Sequence, residues 1–213
     1  NCADRRGPLR EVLRRIVAER IDITWCAPNG IRLDAVDEEL ARLMKQSGCF
    51  QVNVGIESGS PRILKQIRKN LSLDVARRSI ELLRRHKIEV VGFFMLGFPG
   101  ESRDDMRQTI DLAMDLPLTG ASFSIYCPLP GTEDYEVTFR EGKPDHEVLD
   151  SFDFVRYDNN LSEAPAKELR ALQRWAYMRF HLRPPVLRSV LRNLTSLDKI
   201  LFIAKQARHK VFE

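Results

Sequence analysis

Four short runs of apolar, β-branched and aromatic residues recur along the chain, each separated from the next by a segment of helical periodicity. They are residues 21–27 (IDITWCA), 51–57 (QVNVGIE), 90–98 (VVGFFMLGF) and 121–129 (ASFSIYCPL). Their hydrophobicity is near-continuous rather than alternating, the pattern of strands covered on both faces by helices in a parallel sheet. Crossovers between neighbouring parallel strands are right-handed, so the series predicts an α/β fold. It is either an open doubly wound sheet or part of a (β/α) barrel.

The intervening helices are marked by their caps. Gly7-Pro8 opens a helix over 9–20, Asp37 one over 38–46, Ser60-Pro61 a short one over 62–68, and Ser72 with Asp74 one over 75–86. Ser102, with Asp105 three residues on, opens 106–116 as a capping box. After Pro130-Gly131 the alternation stops. Residues 142–160 form a polar and aromatic connection, and helical patterns follow over 164–181, 186–194 and 197–210, broken by Arg183-Pro184-Pro185. The expected organisation is a partial barrel over 1–140, a connecting segment over 141–161 and a basic helical extension over 162–213.

At 213 residues, 43% apolar and 30% charged, the chain can bury a full core, which excludes disordered and disulfide-stapled classes. The first twenty residues are crowded with arginine and lack the apolar stretch of a secretory signal, so a cytoplasmic address is expected. Cys2, Cys26, Cys49 and Cys127 are far apart and are expected to be buried free thiols; no metal site can be read from them. His86, His146, His181 and His209 are scattered, as helix-end or surface residues are. From Ser162 onward eleven Lys or Arg face four Asp or Glu, a net +7 against −3 for the rest. Such a tail, with Leu187, Val190, Leu191 and Leu194 among its arginines, could meet an anionic membrane surface; packing on the barrel is the expected alternative. Nothing marks a nucleic-acid partner, and Phe93, Phe94 and Phe98 read as core.

In parallel α/β folds ligands bind at the carboxyl ends of the strands. Four such lips are legible: Trp25 to Arg32, Gly55 to Ser60, Gly97 to Ser102 and Tyr126 to Thr132. At the second, Glu57 can accept ribose hydroxyls or bind an ammonium, or it can cap the next helix or pair with an arginine. As a catalytic base it would need a raised pKa. The third, GFPGES, lacks the spacing of a phosphate loop and reads as a tight turn with Ser102 as helix cap.

Taken together, the runs WCAPNGIRLDAVDEELARLMKQSGCFQVNVGIESGS, ILKQIRKNLS, GFFMLGFPGES and PLPGTEDYE resemble the later part of the catalytic domain of radical SAM enzymes. The likeness is greatest to the cobalamin-binding class that includes the anaerobic magnesium-protoporphyrin ester cyclase and assorted methyltransferases. It covers about residues 21–136, and FHLRPPVLRSVL in the tail is similar to that class as well. The resemblance implies the later strands of a TIM-like (β/α)6 barrel holding S-adenosylmethionine, a [4Fe-4S] cluster, radical chemistry on a small organic substrate, and in that class cobalamin. It implies that Glu57, with Ser58 beside it, contacts the ribose or the methionine ammonium and that Lys69 pairs with the methionine carboxylate. Gly92, Phe94, Leu96, Gly97 and Glu101 fall on the family's fifth-strand motif flanking adenine. Tyr126 and Pro128 match the sixth-strand end, and Trp25 and Arg32 the third.

One departure matters: the family's CxxxCxxC cluster motif is nowhere in the chain. The expectation is therefore a fragment of such an enzyme, inactive alone, whose first barrel strands and cobalamin domain lie elsewhere. The alternative is a degenerate domain kept as an interaction or structural module. A fragment would leave a parallel strand edge open at residues 21–27.

Overall fold

The computed structural model of the protein describes residues 8–129, 131–138 and 160–187. Four parallel strands lie in the order β1 (Trp25–Ala27), β2 (Cys49–Glu57), β3 (Glu89–Leu96) and β4 (Gly120–Ile125). Helix α1 (Pro8–Ala18) precedes β1, and α2 (Glu38–Gln46), α3 (Pro61–Gln66), α4 (Leu73–Arg85) and α5 (Arg103–Asp115) connect the strands. Beyond β4 come α6 (Glu133–Thr138), which the sequence reading did not anticipate, and α7 (Ala166–His181).

Local chemistry explains the helix ends. The Asp37 side chain accepts from the Leu40 N–H and starts α2, while Ser60 accepts from the Ile63 N–H with Pro61 in the first turn of α3. Ser102 and Asp105 make a complete capping box on α5. Ser72 precedes α4 without a side-chain cap, and that helix is held instead by a buried stripe of Ala76, Ile80 and Leu83. Burying each of its two larger side chains contributes about 1.5–3 kcal/mol, so Ile80→Ala is the change that would loosen it most.

Strand β2 begins two residues earlier than expected, at Cys49, while the other three are shorter than expected, and each of those boundaries has a reason. The first run forms a strand only from Trp25; Ile21 and Ile23 are exposed, and among the described residues β1 pairs with β2 alone. The third run ends at Leu96 because Gly97 turns to φ +90°. The fourth ends at Ile125, although the Tyr126 N–H still donates to the Leu96 carbonyl.

The sheet also corrects the expectation of two covered faces. Val54, Gly92 and Ala121 lie in register on the buried face, whereas Gly55, Phe93 and Ser122 lie in register on a face that is half-buried to exposed. Apolar residues on that open face, notably Phe93 and Met95, concealed the alternation. Phe93 is thus not core, while Phe94 stacks on Phe123 in the buried layer with ring centres 5.3 Å apart. Cys26, aligned with Gln51, is exposed for the same reason. Cys49 is buried, which pushes its thiol up to about 11, and Cys127 is half-buried. His86 and His181 stand at helix ends, while His146, His209 and Cys2 lie outside the described residues.

Helix α7 packs on α5 and along the outer edge of β4. The Phe123 N–H donates to the Tyr177 hydroxyl at 3.1 Å, and the Gln173 side-chain amide donates to the Phe123 carbonyl at 2.8 Å. These side chains satisfy the backbone groups that a further strand would take. Past α7, the Arg183 guanidinium is sunk against the C-terminal end of α5, donating to the carbonyls of Met114 at 2.7 Å and Leu118 at 3.1 Å, and lies 3.9 Å from the centre of the Phe180 ring. The Arg-Pro-Pro break is therefore an anchor. The amphipathic tail beyond residue 187 is outside the described residues, as is the connection over 139–159. Among the described residues no helix is long and apolar enough to cross a membrane.

Candidate functional site

A cleft of about 580 Å³ opens at the carboxyl end of the sheet, on its open face. Its floor is Gly55 and Phe93, and its walls include Arg32 and Asp34 after β1, Glu57 at the end of β2, and Lys69 after α3. The ladder between β2 and β3 slips at this point: Gly55 pairs with Phe93, but Glu57, not Ile56, pairs with Phe94. Glu57 adopts φ +69°, a left-handed backbone that costs a non-glycine residue about 1 kcal/mol or more. The strain coincides with the place where the carboxylate meets the cleft.

Glu57 Oε1 and Lys69 Nζ are 3.0 Å apart. A Cβ on Gly55 would lie 2.6 Å from that carboxylate oxygen and 3.4 Å from the ammonium, so the pair occupies space that only glycine leaves. The result is a fixed carboxylate and a fixed ammonium side by side over a bare backbone, able to meet a ligand that carries both charges. Across the cleft the Arg32 guanidinium is engaged by Asp34, whose carboxyl is held below its usual range chiefly by that hydrogen bond.

A second lip follows β3. Glu101 is fully buried, and its Oε2 accepts from the Gly97 N–H at 2.5 Å and the Phe98 N–H at 3.0 Å, closing the turn. Burial pushes its carboxyl up to about 7 against those two amides, and Oε1 has no hydrogen-bond partner among the described residues. Phe98 is buried with its ring 4.6 Å from that of Tyr126, whose hydroxyl donates to Asp134 on α6. Burial and this hydrogen bond both drive the Tyr126 phenol above its ordinary range, so it stays neutral.

The residues singled out in the sequence therefore divide. Arg32, Glu57 and Lys69 line one cleft, while Gly97, Glu101 and Tyr126 build the neighbouring lip. Gly92, Phe94 and Leu96 are on the helix-covered face; a Cβ on Gly92 would lie 2.8 Å from both Leu118 and the Phe94 ring. Ser58 is buried against Thr109, and Pro128 is buried too. Trp25 opens β1 rather than closing it, level with Cys49 at the amino end of the sheet. There its indole N–H donates to Ser47, far from the mouth it was expected to face. Gly55 lies on the lip read from the sequence, whereas Phe93, read as core, is a cleft residue; its two-residue spacing from Met95 on the same face was the available signal.

Comparison with known proteins accords with this geometry. The sequence pattern of the Radical SAM superfamily matches residues 5–113. An uncharacterised methyltransferase of Pyrococcus horikoshii is 32% identical over 83% of this chain and 38% of its own length. The cytidylyl-2-hydroxyethylphosphonate methyltransferase of Streptomyces wedmorensis is 36% identical over 65% of this chain and 27% of its own. The chain thus spans well under half of these relatives. Among solved structures, the radical S-adenosylmethionine methyltransferase TsrM of Kitasatospora setae, determined with cobalamin and a [4Fe-4S] cluster, aligns with a TM-score of 0.51 and 26% identity over 56% of this chain and 25% of its own. The parallel sheet is accordingly the later part of a TIM-like barrel, and the chain belongs to the radical SAM superfamily.

Proposed function

We propose that this chain is the later part of the catalytic barrel of a radical SAM enzyme and binds S-adenosylmethionine between its two lips. The observation that carries the reading is the Glu57–Lys69 pair, 3.0 Å apart over the Cβ-free backbone of Gly55 in a cleft of 580 Å³. In this arrangement Lys69 pairs with the ligand's carboxylate, Glu57 with its ammonium or ribose hydroxyls, and the turn at Gly97 and Phe98 flanks the adenine. The chemistry of such an enzyme, one-electron cleavage of the sulfonium C–S bond to methionine and a 5′-deoxyadenosyl radical, would draw its electron from a reductant held outside this chain, while the residues here bind and orient the ligand. Methyl transfer onto a small organic substrate is the subtype that the methyltransferases among the relatives favour.

An iron–sulfur cluster does not fit the described residues. No group of three or more His, Cys, Asp or Glu comes together among them, and Cys26, Cys49 and Cys127 occupy separate segments. We assign the cluster, and cobalamin with it, to parts of the enzyme outside this chain, in keeping with the 38% of the Pyrococcus relative that the chain covers. No step is derived through either group.

Calorimetric titration with S-adenosylhomocysteine, which keeps the adenosine and amino-acid groups, tests the assignment. The wild-type chain is expected to bind, and Glu57→Gln and Lys69→Met each to weaken binding by about tenfold or more, the worth of one charge-assisted hydrogen bond. Absence of binding, or binding indifferent to both changes, would refute it.

A further inference from the structure

Between the end of the β2–β3 ladder and the cleft, the two lips are not joined by strand pairing. The last pair in the ladder is Glu57 with Phe94, and beyond it the chain runs into α3 on one side and the Gly97 turn on the other. What joins them is a polar cluster on the first turns of α5. Asp105 already completes the capping box with Ser102, which accounts for one carboxylate oxygen. Its other oxygen accepts from the Ser60 hydroxyl, 45 residues away in sequence, at 2.5 Å. A helix cap does not require that contact.

Arg62 doubles the connection. One of its terminal nitrogens lies 2.5 Å from Asp105 Oδ2 and 2.9 Å from the Gly100 carbonyl, so a single guanidinium touches α5 and the turn of the second lip. One turn further along α3, the Gln66 amide donates to the Pro99 carbonyl at 2.7 Å. Beneath them Thr109 Oγ1 accepts from the Gly59 N–H at 2.9 Å and lies 3.0 Å from Ser58 Oγ. A Cβ on Gly59 would sit 2.4 Å from the Gln108 carbonyl, so the lip is pressed onto the α5 backbone with no slack. Asp105 is buried and stays ionised: burial opposes this, but Arg62, Ser102 and Ser60 together hold its carboxyl well below the usual range.

We propose that Arg62 and Asp105 are positioning residues that lock the lip carrying Glu57 to the Gly97–Glu101 turn as one body, setting the gap that the bound ligand spans. The inference rests on the assignment of both lips to S-adenosylmethionine. It adds that affinity depends on two residues that line neither the cleft nor the turn's ligand-facing backbone.

The test uses the 213-residue chain with Arg62→Gln, Arg62→Lys and Asp105→Asn. The first is chosen because the Arg62 side chain is 53% exposed and its loss leaves the core intact. Amide hydrogen exchange followed by mass spectrometry should show residues 57–60 and 97–101 both exchanging faster in Arg62→Gln, by about tenfold, with protection of β2 and β3 unchanged. Affinity for S-adenosylhomocysteine should fall by about tenfold, and Arg62→Lys, which can reach only one of the two acceptors, should recover part of both effects. Loosening of one segment alone, of neither, or of the strands together with both lips would overturn the proposal, the last by reducing the cluster to general stability. If Asp105→Asn fails to fold, Arg62→Gln decides. If the wild-type chain does not bind S-adenosylhomocysteine, the ligand assignment fails, and the exchange measurement still decides whether the lips move as one.

Discussion

Tyr177→Phe isolates the way α7 finishes the sheet. The tyrosine is 3% exposed, its ring meets that of Phe123 edge-on at 5.5 Å and 84°, and its hydroxyl accepts the Phe123 N–H at 3.1 Å while lying 3.1 Å from the Ser122 hydroxyl. Phenylalanine keeps the ring contact and removes only the oxygen, leaving a backbone N–H buried at a sheet edge. An orphaned buried donor costs about 1–3 kcal/mol. With a urea dependence of about 2 kcal/mol per molar for a chain of this size, the unfolding midpoint should fall by about 1 M with no change in slope. Gln173→Leu removes the partner of the carbonyl on the same residue. The two losses should not add, because either one frees the same stretch of edge. Equilibrium unfolding followed by circular dichroism, with light scattering to detect edge pairing, is the assay. An unchanged midpoint in both variants would mean that water replaces the two side chains without loss, and that the edge is not closed by α7.

Three other substitutions have outcomes set by the same structure. Because burial raises the folded Glu101 carboxyl to about 7 from its ordinary 4.5, its contribution is full below the unfolded value and is lost as pH rises to the folded one, by at most about 3 kcal/mol; Glu101→Gln should flatten that slope in urea unfolding across the interval. Gly55→Ala places a methyl 2.6 Å from Glu57 Oε1, so S-adenosylhomocysteine binding measured by calorimetry should weaken by about tenfold with the unfolding midpoint nearly unmoved. Arg183→Met, which keeps the stem but removes four donations to carbonyls at the end of α5, should destabilise by about 1–3 kcal/mol in thermal unfolding.

Much of the framework was legible because its signals are local. Asp37 fixes α2 at the boundaries read from sequence, and the Ser102–Asp105 pair is the capping box its spacing implied. The series of parallel strands follows from runs that alternate with helices. What failed to show were features set by partners distant in sequence. The first strand is cut to three residues because it has one neighbour among the described residues, and Trp25 consequently marks the beginning of that strand. Phe93 reads as core in any apolar run; only the register with Gly55 and Ser122 reveals that it floors the cleft. The second use of Asp105, binding Ser60 and Arg62 across more than forty residues, leaves no periodic trace at all.

The left-handed backbone at Glu57 also constrains what can replace it. Glycine would relieve the conformation, and aspartate or asparagine tolerate it, yet none carries a carboxylate or amide far enough to keep the contact with Lys69. A screen for heat-resistant variants of this chain would thus be rewarded for Glu57→Gly, and the winner would be a sturdier domain with an emptied cleft.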